Sequence, residues 1–148
     1  MTLFTSTFGP AAAEAGVEMP GVSRHLAIFR SCIDPDDATV LVTRCTRPDD
    51  PAAGEFLLLL TYHRLLVTKE SRVLRRMRVH LNANLRHLSN VNWNPDPREP
   101  AVEIAVTAVD GVRERFKAHF AQPDRMWHFD ALLEHVFVHR KRRVSLFS

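Results

Sequence analysis

Apolar residues recur at Val22, Leu26, Phe29 and Ile33, the spacing that gathers side chains on one face of a helix. Asp34-Pro35-Asp36-Asp37 stops that helix, because proline lacks a backbone donor and disfavours helical geometry in the residue before it. Beyond it the period changes. Ala38 to Cys45 carries Val40, Leu41 and Val42 among threonines, a strand composition, and Arg47 to Pro51 predicts a turn or loop. Phe56 to Leu60 is apolar without interruption, which predicts a strand covered on both faces. Thr61 to Arg64 predicts a short turn, and Leu65 to Thr68 the returning strand. Met77, Val79 and Leu81 then alternate with Arg76, Arg78 and His80, which predicts one buried and one basic face.

Asn82 to Leu88 reads as a helical turn with asparagine as its cap, followed by a short strand in which Val91 and Trp93 alternate with Asn92 and Asn94. Pro95, Pro97 and Pro100 mark an exposed loop. Val102, Ile104, Val106 and Ala108 form one strand face, and Asp110-Gly111 predicts a hairpin, because glycine tolerates the positive φ such turns require. The returning strand sets Val112, Phe116 and Phe120 on one side against Arg113, Arg115, Lys117 and His119, with Glu114 on the apolar side. Gln122-Pro123-Asp124 opens a last helix, whose stripe is Met126, Phe129, Leu132, Leu133, Val136 and Phe137. Residues 1–20 show little periodicity and read as a loose or docked N-terminal arm. The expected organisation is that arm, a single domain over 21–140, and a basic tail over 141–148.

An N-terminal helix, about seven strands and a C-terminal amphipathic helix make an α+β chain. Its local residues resemble those of bacterial pleckstrin-homology-like (PH-like) and GRAM-like domains. Leu60-Thr61-Tyr62-His63-Arg64-Leu65 is similar to the "L-T-x-x-R-L" hairpin of those domains, and Val79 to Leu85 looks like their following "I-P-L-x-x-I" segment, with His80 where that pattern has proline. The resemblance covers residues 38–139. It implies a PH-like barrel of about seven antiparallel strands capped by the C-terminal helix, with Thr61 and Arg64 bracing the turn. It also implies a non-enzymatic role, since such families include phosphoinositide-binding and protein-binding members.

The chain of 148 residues has ordinary globular composition, 45% hydrophobic and 25% charged. No apolar run approaches the roughly 20 residues of a membrane span, and no secretory signal pattern opens the chain. Cys32 and Cys45 lack CxxC spacing, so reduced thiols in a cytoplasmic protein are expected. The net charge of +3 hides a separation of signs. Residues 1–55 hold 4 Lys/Arg against 8 Asp/Glu, whereas residues 61–90 hold 7 against 1. Such a chain can offer a basic patch to an anionic partner, and solvated surface charge is the alternative.

Lys69, Arg72, Arg75, Arg76 and Arg78 are the expected anion-binding residues, because basic side chains on a loop can gather around a phosphorylated group. The loop between the first two strands, where PH domains usually carry their phosphoinositide-binding basics, has Asp49 and Asp50 instead. On the last helix Trp127, Ala131 and Val138 lie away from the apolar stripe. They are the expected interaction surface, for the N-terminal segment or for another protein. His128, His135 and His139 form a narrow stripe at the solvent margin; boundary histidines are expected there rather than a metal site. Nucleic acid is a rival partner for the basic strands and the tail Arg140 to Arg143, but exposed aromatics for base stacking are few. With five glycines, no phosphate loop and neither GxSxG nor HExxH, no enzymatic activity and no cofactor are expected. The functional expectation is a binding or scaffolding module for protein contact or self-assembly. Its alternative is an anionic ligand, a phospholipid headgroup or nucleic acid, on the basic segment 69–78.

Overall fold

Two helices, α1 (Leu3–Glu14) and α2 (Met19–Cys32), precede seven strands in a computed structural model that describes residues 2–17, 19–71 and 76–145. The strands are β1 (Thr39–Thr46), β2 (Glu55–Thr61), β3 (Arg64–Ser71), β4 (Arg76–Asn84), β5 (Ser89–Asp96), β6 (Ala101–Thr107) and β7 (Arg113–His119), and α3 (Pro123–Ser145) closes the chain. All pair antiparallel in one sheet of order β4-β3-β2-β1-β7-β6-β5. The α+β class, the seven strands and the C-terminal helix agree with expectation. β4 and β5 are the outermost strands, so the sheet is open rather than a hydrogen-bonded barrel.

The uninterrupted run of β2 has two layers to fill. Phe56, Leu58 and Leu60 pack with Leu41, Val67, Phe116 and the α3 residues Met126, Phe129 and Leu133. Leu57 and Leu59 point the other way and pack with Val42, Leu66, Phe4, Phe8 and Phe29 beneath α1 and α2. A strand buried on both faces has no polar position to alternate with, as the run predicted.

Of the loose or docked arm expected at the N-terminus, the structure shows the docked form, and it is helical where the sequence has little periodicity. Thr2 and Thr5 form a reciprocal cap, each side chain taking the other's backbone N–H at 3.2 Å. Phe4, Phe8 and Ala12, four residues apart, are then buried on one face. Gly9, Pro10 and the surrounding alanines hide this stripe in the sequence, and burial against the sheet supplies the stability that propensity does not. The Thr7 hydroxyl accepts from the Thr39 N–H at 2.9 Å, tying α1 to β1.

The last hairpin turns at Gly111, whose φ of 85° lies in the left-handed region that glycine favours. Val112 sits in this turn and is half exposed, rather than continuing the apolar face of Phe116. β4 brings a larger correction. Val67 pairs with Leu81 but Thr68 pairs with Val79, so His80 is an extra residue, a β-bulge. Strict alternation therefore fails along β4, and the side-chain assignment slips. Val79, expected inside, is 40% exposed, while His80 turns inward against Phe56 and Phe116.

Candidate functional site

The ends of β1 and β3 meet the starts of β4 and β7 at one margin of the sheet, where a polar cluster interrupts the inner core. Lys69 places its Nζ 5.3 Å from the centre of the Phe56 ring. Arg78 lies directly across from Lys69 in the ladder, and Arg76 follows two residues away on the same face. Both arginines are exposed, and neither has an ion pair among the described residues. Deeper in, His80 stands between the rings of Phe56 and Phe116 at 5.2 and 5.9 Å and shares a hydrogen bond of 3.0 Å with Glu114. Arg47, just beyond β1, places Nη2 3.6 Å from the same carboxylate. Its Nε is buried and has no hydrogen-bond partner among the described residues.

Glu114 is the one carboxylate of this cluster and is only 9% exposed. A buried carboxylate needs compensation, and Arg47 and His80 provide it from two other parts of the sheet. Lys69, Arg76 and Arg78 stand closer to solvent. The margin thus has a compensated interior and a cationic rim. Arg72 and Arg75, the other two expected anion-binding residues, lie outside the described residues. Arg47, His80 and Glu114 were not singled out from the sequence as a group; Glu114 on an otherwise apolar face was the one available signal.

The second basic face, on β7, is occupied. Arg115 donates to Glu103 and lies 3.6 Å from Asp49, and Lys117 meets Glu99 at 2.6 Å. Arg113 donates to the Asn90 carbonyl and to the Thr107 hydroxyl, both at 2.9 Å. The acidic loop residue Asp49 is thereby used against β7.

Thr61 and Arg64 hold the β2–β3 turn. The Thr61 hydroxyl accepts from the Arg64 N–H at 2.9 Å and donates to Asp37 at 2.5 Å. His63 Nδ1 lies 3.1 Å from the other oxygen of that buried carboxylate. Arg64 Nη1 donates to Asn82 at 2.8 Å, linking the turn to β4. On the outer face His25 of α2 is buried, with Nδ1 2.7 Å from the Thr68 hydroxyl.

On α3, Trp127 is 48% exposed and Ala131 is exposed, while the side chain of Val138 lies outside the described residues. The N-terminal segment reaches α3 without covering Trp127. Arg125 donates to the Glu14 carbonyl, and His128 Nε2 lies 2.5 Å from the Glu14 carboxylate. His135 packs edge-on against the Tyr62 ring at 6.1 Å, and the His139 side chain is outside the described residues. Among the described residues no group of three or more His, Cys, Asp or Glu side chains could hold a metal ion. Burial, with a smaller contribution from Glu55, pushes the Cys45 thiol up to about 12, which suppresses the thiolate a nucleophile requires. No described helix is long and apolar enough to cross a membrane. Neither the protein-family models nor the curated proteins compared with the chain give a match.

Proposed function

We propose that this chain is a non-enzymatic PH-like binding module whose ligand is an anionic surface. Seven antiparallel strands with a C-terminal helix against the inner face support the PH-like reading. The observation that carries the anionic reading is the rim of Lys69, Arg76 and Arg78. Its cations share one face, and its two arginines lack carboxylate partners among the described residues. Exposed unpaired guanidinium groups can offer forked donors to phosphate oxygens. A headgroup at a bilayer surface suits this rim better than a buried ligand, because Glu114 already engages the deeper Arg47 and His80. A cytoplasmic, reducing setting is part of the proposal and rests on Cys32 and Cys45, both free thiols.

The test is co-sedimentation with phosphatidylcholine vesicles made with and without phosphatidylserine. Binding should require the anionic lipid, weaken with salt and fall when Arg76 and Arg78 are both changed to Ala. Equal binding to neutral vesicles, or binding indifferent to those substitutions, would sink the reading. Contact with another protein is the second reading, favoured by the half-exposed Trp127 beside exposed Ala131. Trp127→Ala abolishing capture of a partner while leaving vesicle binding intact would separate the two.

A further inference from the structure

A cleft of about 400 Å³ opens at the other end of β1, between the C-terminal end of α1 and the first turns of α3. Four consecutive β1 residues, Val40, Leu41, Val42 and Thr43, line it. Successive strand side chains point to opposite faces of a sheet. Leu41 accordingly packs in the inner core and Val42 in the outer one. A cleft that touches all four must run along the edge of the strand. One edge of β1 is taken by β2 from Thr39 to Thr46. On the other edge the ladder to β7 consists of the single pair Thr46↔Lys117. The cleft therefore follows an edge of β1 from which β7 has diverged.

We propose that this edge accepts an extended peptide segment of another protein, added as a strand alongside Val40–Thr43. A free strand edge presents a row of N–H and C=O groups, which another backbone satisfies and an acyl chain does not. Phe120 and Phe129 give an apolar wall for one inserted side chain. The charges of the rim specify the rest. Two of the polar side chains there are already turned onto Glu14: Arg125 donates to its carbonyl, and His128 lies against its carboxylate. Asp124 also lines the cleft and has no ion pair among the described residues. The complementary segment is thus a short stretch carrying a basic side chain next to an apolar one. This site lies at the opposite end of β1 from the cationic rim and does not rest on the anionic-surface reading.

The probe is an acetylated, amidated peptide of alternating lysine and valine, titrated into the full chain and followed through the backbone amide resonances. Binding should shift Val40–Thr43 and slow hydrogen exchange there. A version N-methylated at every second residue, which cannot pair along one edge, should bind at least about tenfold more weakly, the equivalent of about 1.4 kcal/mol. Asp124→Lys should weaken binding, and Ala15→Trp, at an exposed position on the cleft wall, should block it. If Ala15→Trp fails to fold, the peptide comparison and Asp124→Lys carry the test. Equal binding of the N-methylated peptide would reduce the site to an apolar pocket. Resonance shifts confined to other strands, absence of binding, or sedimentation showing that a second copy occupies the edge would each overturn the proposal.

Discussion

The cations of β7 and those of β3 and β4 occupy one sheet, yet they differ in what they have left to offer. Arg115 and Lys117 each face a carboxylate, and Arg113 is bound to a carbonyl and a hydroxyl. Lys69 rests over an aromatic ring, while Arg76 and Arg78 reach solvent without an acidic partner among the described residues. The density of basic residues along the chain does not distinguish the two rows. Acidic neighbours do: Glu103, diagonal to Arg115 in the ladder, and Glu99, just before β6, neutralise the β7 row before any ligand arrives.

The comparison breaks most directly at Arg76 and Arg78. Changing both to Ala should lower affinity for phosphatidylserine vesicles roughly 30-fold, from about 1 kcal/mol per cation near an anionic surface. Freeing the β7 row should work in the opposite sense. Glu99→Gln with Glu103→Gln should raise vesicle affinity by up to about tenfold, as Lys117 loses its partner and Arg115 keeps only Asp49. Glu114→Gln, read in the same vesicle assay, should raise affinity about fivefold by uncovering Arg47. It should also lower stability by about 1–3 kcal/mol, measured by the denaturant midpoint, because the charge-assisted contacts of a buried carboxylate are lost. Arg113→Ala should change affinity by less than about twofold, since its guanidinium is engaged within the sheet.

Cys45 supplies an uncharged reference within the same sheet. Its folded pKa is raised to about 12 from an ordinary 9.0, so the unfolded chain releases this proton first as pH rises. The stabilising contribution of the neutral thiol is complete below about pH 9 and is lost progressively toward about 12. Unfolding curves of the protein and of Cys45→Ala should therefore converge across that window. A constant difference between them would show that burial does not hold this proton.

Much of the frame is legible residue by residue. Phe56 to Leu60 announces a doubly covered strand, Asp110-Gly111 a hairpin, and Met126 to Phe137 a helix laid on a sheet. Each of those signals is local and strongly periodic. The β4 bulge is not legible, because alternation in β4 looks regular until its pairing with β3 is known. The α1 helix is obscured by small residues between its three buried positions. Of the candidate anion-binding group, Lys69, Arg76 and Arg78 come together on one face, whereas their inner neighbours Arg47, His80 and Glu114 are drawn from three separated segments. No spacing rule links those three.

By itself the sequence determined where the seven strands, α2 and α3 run, which residues of β2 and α3 face a core, and that a basic segment follows β2. Those properties depend on neighbours within a few positions along the chain. Tertiary structure alone decided which cations stay unpaired, which way His80 turns, and that β7 leaves an edge of β1 open above a cleft. Each of these depends on contacts between residues tens of positions apart. Charge pairing and strand pairing are settled by distance in space, which one-dimensional order does not encode.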